Sequence, residues 1–389
     1  MTTPVILTLN AGSSSLKFAL YEAQTEALLA RGQVDRIGPA ATLAMKDADG
    51  AALPVAPGPL CDHDDAVARV LDSLRGAFPE ARAIAIGHRI VHGGIFHDRP
   101  VMLDAAMLEE LRALSPFAPL HQPHNLDGVR AAMEAYPGVP QIACFDTAFH
   151  RNQPFVNDTF ALPRRFYDRG VRRYGFHGLS YEYVSGELAR IAPTLAAGRV
   201  VIAHLGNGAS MCAVQHGRSV ASTMGFSALD GLPMGTRCGQ LDPGAVLYLM
   251  QQEGLSPDEI ADLLYTQSGM LGLSGISNDM RELEASDHPN AREAIDYYVF
   301  RLQRELGGMA AAMGGVDALV FCGGIGENSR LIRARVCERT EWMGIELDHS
   351  RNQDNAPVIS TAFSRTTIMV IPTDEELVIA RAARKMIGA

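Results

Sequence analysis

Lysine is nearly missing from this chain. Among 389 residues it occurs only at Lys17, Lys46 and Lys385, and of these Lys17 stands beside a glycine–serine turn. Positive charge is in deficit overall, with 34 Lys and Arg against 44 Asp and Glu and a formal net charge of −10 at pH 7. That balance argues against nucleic acid or an anionic membrane surface as the main partner. It still allows an anionic small substrate, because a few arginines can invert the sign inside a cleft. No stretch approaches the ~18–20 uninterrupted apolar residues of a membrane helix. Met1–Leu9 shows neither the basic region nor the cleavage-like site of a secretory signal. The six cysteines (61, 144, 212, 238, 322 and 337) form no Cys-x-x-Cys pair and read as reduced, buried thiols of a cytoplasmic protein. Also missing are the Gly-x-x-x-x-Gly-Lys-Ser/Thr loop, the His-Glu-x-x-His helix and the Gly-x-Ser-x-Gly elbow.

What is there reads as α/β. A composition of 47% hydrophobic and 20% charged residues supports a large core, and at roughly 100–200 residues per domain the length suggests two domains. Val5–Leu9 and Leu16–Tyr21 are apolar runs around the polar turn Asn10-Ala11-Gly12-Ser13-Ser14-Ser15, the pattern of a hairpin. Arg199–Leu205, the turn Gly206-Asn207-Gly208-Ala209 and Ser210–Val214 repeat that device. The repetition suggests two related α/β domains. Val67, Val70, Leu71, Leu74 and Phe78 recur at helical spacing, and a long helix is expected from about Asn290 to Met313. Thr373-Asp374-Glu375-Glu376 reads as a capping box opening the last helix.

Three glycine-rich strand-to-turn segments, Asn10–Lys17, His204–Ser210 and Gly323–Ser329, offer backbone amides that can approach phosphate oxygens closely. Arg89, in His88-Arg89-Ile90-Val91-His92-Gly93-Gly94, and Arg237, in Gly235-Thr236-Arg237-Cys238-Gly239, have glycine neighbours that leave a guanidinium approachable, and its fork matches a carboxylate or phosphate. A structural salt bridge is the alternative for either. His177 lies in Tyr174-Gly175-Phe176-His177-Gly178, where a satisfied structural histidine is the competing reading. Asp146 follows the apolar Ile142–Phe145, at the strand end where α/β sites lie, although helix capping would explain it too.

These segments, in this order, resemble the signatures of the acetate kinase family. The likeness runs through Asn10–Lys17, His88–Gly94, Phe145–His150, Tyr174–Gly178, His204–Ser210, Gly231–Gly239, Gly324–Ser329 and Pro372–Glu376. The resemblance implies a duplicated ribonuclease H-like (actin-like ATPase) fold with the active site in the interdomain cleft. It places the first domain at 1–150, joined by the C-terminal helix 373–389, and a nucleotide-binding domain at 151–372. It implies Mg²⁺, with Mn²⁺ as a substitute, ATP as co-substrate and acetate as acceptor, in a cytoplasmic homodimer. By the same likeness Asn10 and Glu375 resemble metal ligands and Lys17 a residue near the phosphates. Arg89 resembles the arginine that holds the carboxylate substrate. Asp146, His177 and Arg237 match catalytic positions. Val91, Leu120 and Phe176 match the wall of the pocket for the substrate methyl, bordered at Ala228. The nucleotide-binding segments correspond to His204, Leu205, Gly206, Asn207 and Gly208; to Asp279, Met280 and Arg281; and to Gly326, Glu327, Asn328, Ser329 and Arg330.

Two departures stand out. The family's usual Phe-Thr-Pro-Leu-Glu-Gly reads Phe226-Ser227-Ala228-Leu229-Asp230-Gly231, which removes bulk beside the methyl pocket and keeps propionate in play as an alternative substrate. Gln240 stands where the family commonly has aspartate. Two further readings compete. A sugar kinase of the same superfamily would need an aspartate base for its hydroxyl acceptor. An actin- or chaperone-like binding module is disfavoured because the sequence ends shortly after Glu375.

Overall fold

The computed structural model describes residues 2–12, 15–119 and 121–389. Two compact units divide it: one takes in 1–151 with 374–389, the other 152–373. In the first, seven strands form one sheet in the order β4-β3-β2-β1-β5-β7-β6, with β1 Thr3–Ala11, β2 Ser15–Glu22, β3 Leu28–Asp35, β4 Thr42–Asp47, β5 Ala81–Ile90, β6 Val101–Met102 and β7 Gln141–Phe145. β1 pairs antiparallel with β2, and parallel with β5, which in turn runs parallel to β7. The hairpin expected from Val5–Tyr21 is therefore present, longer at both ends than its apolar runs, and its register sets Asn10 opposite Lys17.

Alternation along the strands supplies two buried faces. Leu7, Leu9, Phe18 and Ile86 join Val67, Val70, Leu71 and Leu74 of the helix His63–Ala77 in one core. Gly87, the next residue of β5, meets Ile379 of the C-terminal helix Glu375–Ile387. The parallel strands β5 and β7 end at Ile90 and Phe145, so Arg89 and Asp146 emerge side by side at carboxyl ends.

The second unit repeats the plan. β8 Arg199–Leu205, β9 Ala209–Gln215, β10 Arg218–Ser222, β11 Ala318–Cys322 and β12 Thr367–Val370 are ordered β10-β9-β8-β11-β12. Again a three-strand antiparallel run is followed by two parallel partners, the same order as β3-β2-β1-β5-β7. This is the duplicated ribonuclease H-like architecture. The long helix runs Pro289–Met313, capped at its start by the His288 side chain and ended by Gly314 in the left-handed region. Arg333, with no exposed surface, donates to Asn352, Asn355 and the carbonyls of Gly326 and Glu327. It fixes the segment after β11 from behind.

Two local expectations are corrected. The last helix has no Thr373–Glu376 capping box: Asp374 is the N-cap, its carboxylate accepting from the Leu377 N–H at 2.9 Å, and the Thr373 hydroxyl is buried without a partner. A charged acceptor one residue closer to the first-turn amides wins over a hydroxyl. Gly323–Ser329 is not an open turn; Gly323–Asn328 is a short helix entered directly from β11. Gly323 makes the corner at φ +75, where a side chain would meet the Leu205 carbonyl, and the Glu327 carboxylate accepts its N–H at 2.8 Å.

Two buried histidines in the first unit set a pH response. His88 touches Gln141 Oε1 through Nε2 at 2.7 Å, and burial pulls its pKa down to about 4. The His92 Nδ1 accepts from the Gly94 N–H at 2.9 Å; burial, then the charge of Arg151, takes its pKa to about 3. Both are held neutral below the ordinary histidine value of about 6.5. Their contribution is full above that value and is lost as pH falls from 6.5 towards 4, because the unfolded chain then binds more protons. Each pKa unit is worth about 1.4 kcal/mol. Thermal melts between pH 7 and 4 should show a stability loss for the native chain that is clearly flattened in His88→Gln/His92→Gln; identical pH slopes would refute it.

Candidate active site

In the first unit, Arg89 is a hub. Its Nε donates to Asp146 Oδ1 at 3.0 Å, and its second terminal nitrogen reaches Asp146 Oδ2, a two-pronged clasp. The remaining terminal nitrogen donates to Asn10 Oδ1 at 3.2 Å. Glu375 Oε2 lies 3.9 Å from Nε. Asp146 is fixed by its own N–H, which donates to the Ile90 carbonyl. Three separated stretches thus converge on one guanidinium. Burial pulls on that guanidinium, yet Asp146 and Glu375 outweigh the effect and hold it firmly charged.

Glu375 is the less settled carboxylate. Burial pushes its pKa up to about 7, against the pull of Arg89, with Asp146 and Glu376 adding to the rise and Lys17 opposing it. One cation is therefore shared by two carboxylates, Asp146 buried and Glu375 partly so. Val91 is buried, its N–H bound to Asn125, whose amide also holds the Ala11 carbonyl. Leu120, and the Ser13–Ser14 part of the turn, lie outside the described residues.

In the second unit the centre is His177, at φ +59 at the start of the helix Gly178–Ile191. Its Nδ1 meets Ser210 Oγ at 2.8 Å, and the same hydroxyl is bonded to Tyr181 Oη. Its ring stacks on His204 at 4.3 Å, and His204 Nδ1 is held by Ser180 Oγ at 2.7 Å. The turn at Gly208 passes so close to His177 Nε2 that a Cβ there would sit 3.1 Å away. Arg237 donates to the Ala228 carbonyl at 3.4 Å, and Phe176 is buried.

A cavity of about 600 Å³ opens beside this group. Gly206, Asn207, Asp279, Met280, Arg281, Asn328 and Ser329 line it, as do Gly324 and Ile325 of the glycine-rich segment after β11, and Asn278 and Glu284, which the motifs did not single out. The Ser277-Asn278-Asp279 turn, in which the Ser277 hydroxyl accepts from the Asp279 N–H, is the signal that could have extended the segment to Asn278. Leu205, Gly208, Gly326, Glu327 and Arg330 are not on its wall. Leu205 is core, Gly326 receives Arg333, Glu327 caps Gly323, and Arg330 donates to the Gln353 carbonyl at 2.6 Å. They shape the lining from behind. The volume lies within the roughly 300–1,000 Å³ of small-molecule sites.

Among the described residues no group of three His, Cys, Asp or Glu is placed to hold a metal by itself, and no helix is long and apolar enough to cross a membrane.

Comparison with known proteins agrees over nearly the whole length. The acetokinase family profile matches residues 5–381. An acetate kinase of Methylocella silvestris is 58% identical, over 97% of this chain and 96% of the relative. The crystal structure of Porphyromonas gingivalis acetate kinase matches with a TM-score of 0.89 at 38% identity, covering 99% of this chain and 100% of the other. A propionate kinase from Francisella tularensis matches with a TM-score of 0.92 at 37% identity, over the same shares.

Proposed function

The chain belongs to the acetokinase family, and we propose that it transfers the γ-phosphoryl group of ATP to acetate, reversibly, giving acetyl phosphate and ADP. The observation that carries this reading is the Arg89 hub. A guanidinium aimed by two carboxylates and an amide suits an acceptor that is itself a carboxylate. Acetate is already ionised at neutral pH, so its oxygen attacks the γ-phosphorus without a base. The new O–P bond forms as the bond to the β–γ bridging oxygen breaks, and that electron pair leaves on ADP. The barrier is repulsion between anions and charge spread over the equatorial oxygens, so positioning and preorganised positive charge carry the rate. Arg89 holds the acceptor carboxylate. Arg237 and His177 meet the developing charge on the phosphoryl oxygens, and Asp146 aims Arg89 rather than taking a proton. The 600 Å³ cavity takes the nucleotide, with Lys17 near its phosphates.

The donors around Arg89 fit a divalent cation. Asn10, Glu375 and Asp146 offer hard oxygens, and the two carboxylates have the single Arg89 guanidinium between them. Mg²⁺ suits few carboxylates plus substrate phosphates. Asn10 and Glu375 would hold it, and it would screen the phosphate charge.

Incubating the chain with ATP, Mg²⁺ and hydroxylamine across acetate, propionate and butyrate tests the reading. Acetate should give the largest kcat/KM for hydroxamate. Ala228 makes propionate the second reading, since one methylene is worth only about 1–3 kcal/mol of discrimination; a propionate constant above that of acetate would reassign the substrate. Phosphorylation of sugars without hydroxamate would refute both.

The His177 relay makes a finer prediction. Ser210→Ala removes the hydroxyl that fixes Nδ1, and partners that set a histidine's ring state are worth roughly 10–100-fold. We expect that loss in kcat with the KM for ATP little changed; a loss confined to KM would make Ser210 a nucleotide contact instead.

Two copies are expected to pair. None of the residues of the apolar helix Pro243–Gln251 is buried, and Leu247 and Tyr248 are both more than half exposed, a face a second chain would cover. Six cysteines with no Cys-x-x-Cys pair among them suit the reducing cytoplasm, where we place the reaction.

A further inference from the structure

A second cavity, of about 470 Å³, lies in the unit 152–373 among Ser222 at the end of β10, Asp230, Gln240 and the Arg304–Ala312 face of the long helix. None of the residues assigned above to acetate or nucleotide lines it. Its charges do not balance. Arg173 is 3.1 Å from Asp230. Arg304 reaches Glu305 at 2.8 Å, and Arg301, almost fully buried, is 3.6 Å from the same carboxylate. Among the described residues these three guanidiniums have two carboxylates at ion-pair distance. The third acceptor is neutral: the Gln240 carboxamide oxygen receives hydrogen bonds from both Arg301, at 3.0 Å, and Arg304. This is the position at which the sequence departs from the family's common aspartate. Among the described residues around the cavity, two buried polar atoms have no partner, Arg301 Nε and Ser222 Oγ.

An uncompensated cation in a partly desolvated pocket attracts a counter-charge, and guanidinium forks select oxyanions. We propose that this cavity is a binding site for a small oxyanion, a carboxylate or phosphate group seated at Arg173 and Arg304 in the place a carboxylate at position 240 would otherwise neutralise. The volume leaves room for a body larger than the anionic group, against Met309 and Ala312.

The cavity adjoins the segment 228–240 that carries Arg237. Asp230 and Gly231 lie just beyond Ala228, whose carbonyl receives Arg237. The Gly231 carbonyl accepts from Arg301 at 3.3 Å and from the Gln240 N–H at 2.9 Å. An occupant that draws on Arg173 and Arg301 therefore pulls on both ends of the segment that carries Arg237. The effect on turnover rests on the role given to Arg237 above; the binding does not.

The test is titration of the full chain, labelled at its methionine methyls, with inorganic phosphate and, separately, succinate, with ADP and Mg²⁺ present throughout. The Met309 signal, assigned through Met309→Leu, is the local probe. We expect a saturable Met309 shift with at least one probe in the millimolar range or below; which one responds separates a phosphate from a carboxylate ligand. Gln240→Glu should weaken it at least tenfold by supplying the missing charge, a change of about 1.4 kcal/mol. Arg304→Gln should do the same without adding a carboxylate. Both variants should keep their anion-free turnover. No saturable Met309 shift with either probe, or equal affinity in both variants, overturns the site. A rate change that persists in Gln240→Glu with no Met309 shift places the anion at the acetate site and also overturns it. A Met309 shift that leaves the rate untouched supports the site and overturns only its link to Arg237.

Discussion

Arg89→Ala will lose on the order of 10³-fold or more in kcat/KM for acetate, the scale of arginines that clamp a transferring phosphoryl group. The expectation comes from the groups that converge on this side chain. Asp146 grips it with both oxygens, Asn10 holds the remaining terminal nitrogen, and Glu375 stands 3.9 Å from Nε. Such a guanidinium does not reorganise when acceptor and triphosphate meet, so its field is available at no cost in the transition state. Alanine removes that field and leaves Asp146, 1% exposed, beside Glu375 with no cation between them. Removing one member of a buried pair costs on the order of 3–5 kcal/mol, so the melting temperature should fall as well. Arg89→Lys separates the two effects. It restores a charge but not the fork, so it should recover stability in part and activity poorly. Steady-state rates with acetate varied, beside thermal melts, check both. A loss below tenfold in the alanine variant would contradict the reading of the reaction as one limited by anion repulsion.

The elements of this hub were legible to different degrees. The hairpin that carries Asn10 and Lys17 announces itself, because two alternating apolar runs around a Gly–Ser turn admit little else. The strand before Asp146 is a continuous apolar run, and a carboxylate after such a run is conspicuous. That Asp146 closes on Arg89 from 57 positions away is a property of the parallel pairing of β5 and β7, which local patterns do not encode. Glu375 illustrates the limit more sharply. It stands in a readable helix start, yet the cap turned out to be Asp374, and a choice between adjacent acceptors depends on the angle at which the chain enters the helix. In the second unit the glycines after β11 read as an open turn, because a glycine permits the left-handed corner whether a loop or a helix comes next. Glu284 reaches the cavity only through tertiary packing. The charge imbalance around Gln240 draws on Arg173, Asp230, Arg301 and Arg304, and a sequence can show the departure at position 240 but not the arginines that face it.

Asp146→Asn, by the same reasoning, should lose on the order of 10²–10³-fold in kcat at every pH and recover none of it in alkali. The magnitude is that of a mispositioned electrostatic group. Asparagine keeps the size of the side chain but turns one of its two acceptors into a donor facing a guanidinium, so the clasp opens and Arg89 loses its aim. The shape of the profile is the decisive part. A carboxylate acceptor arrives ionised, and no proton need leave it for the O–P bond to form. If Asp146 nevertheless served as a base, hydroxide could replace it, and the variant's single-turnover rate would climb towards that of the native chain as pH rises. Parallel profiles for variant and native chain separate an orienting role from proton transfer, and they do so without reference to the size of the loss. A pH-dependent return of rate requires a properly assembled site, so misfolding cannot mimic rescue, and a thermal melt of the variant separates its uniform loss from unfolding. Single-turnover measurement also removes product release from the observed rate. Rescue at high pH would place a proton in flight at Asp146, and would reopen the question of what acceptor this site evolved to phosphorylate.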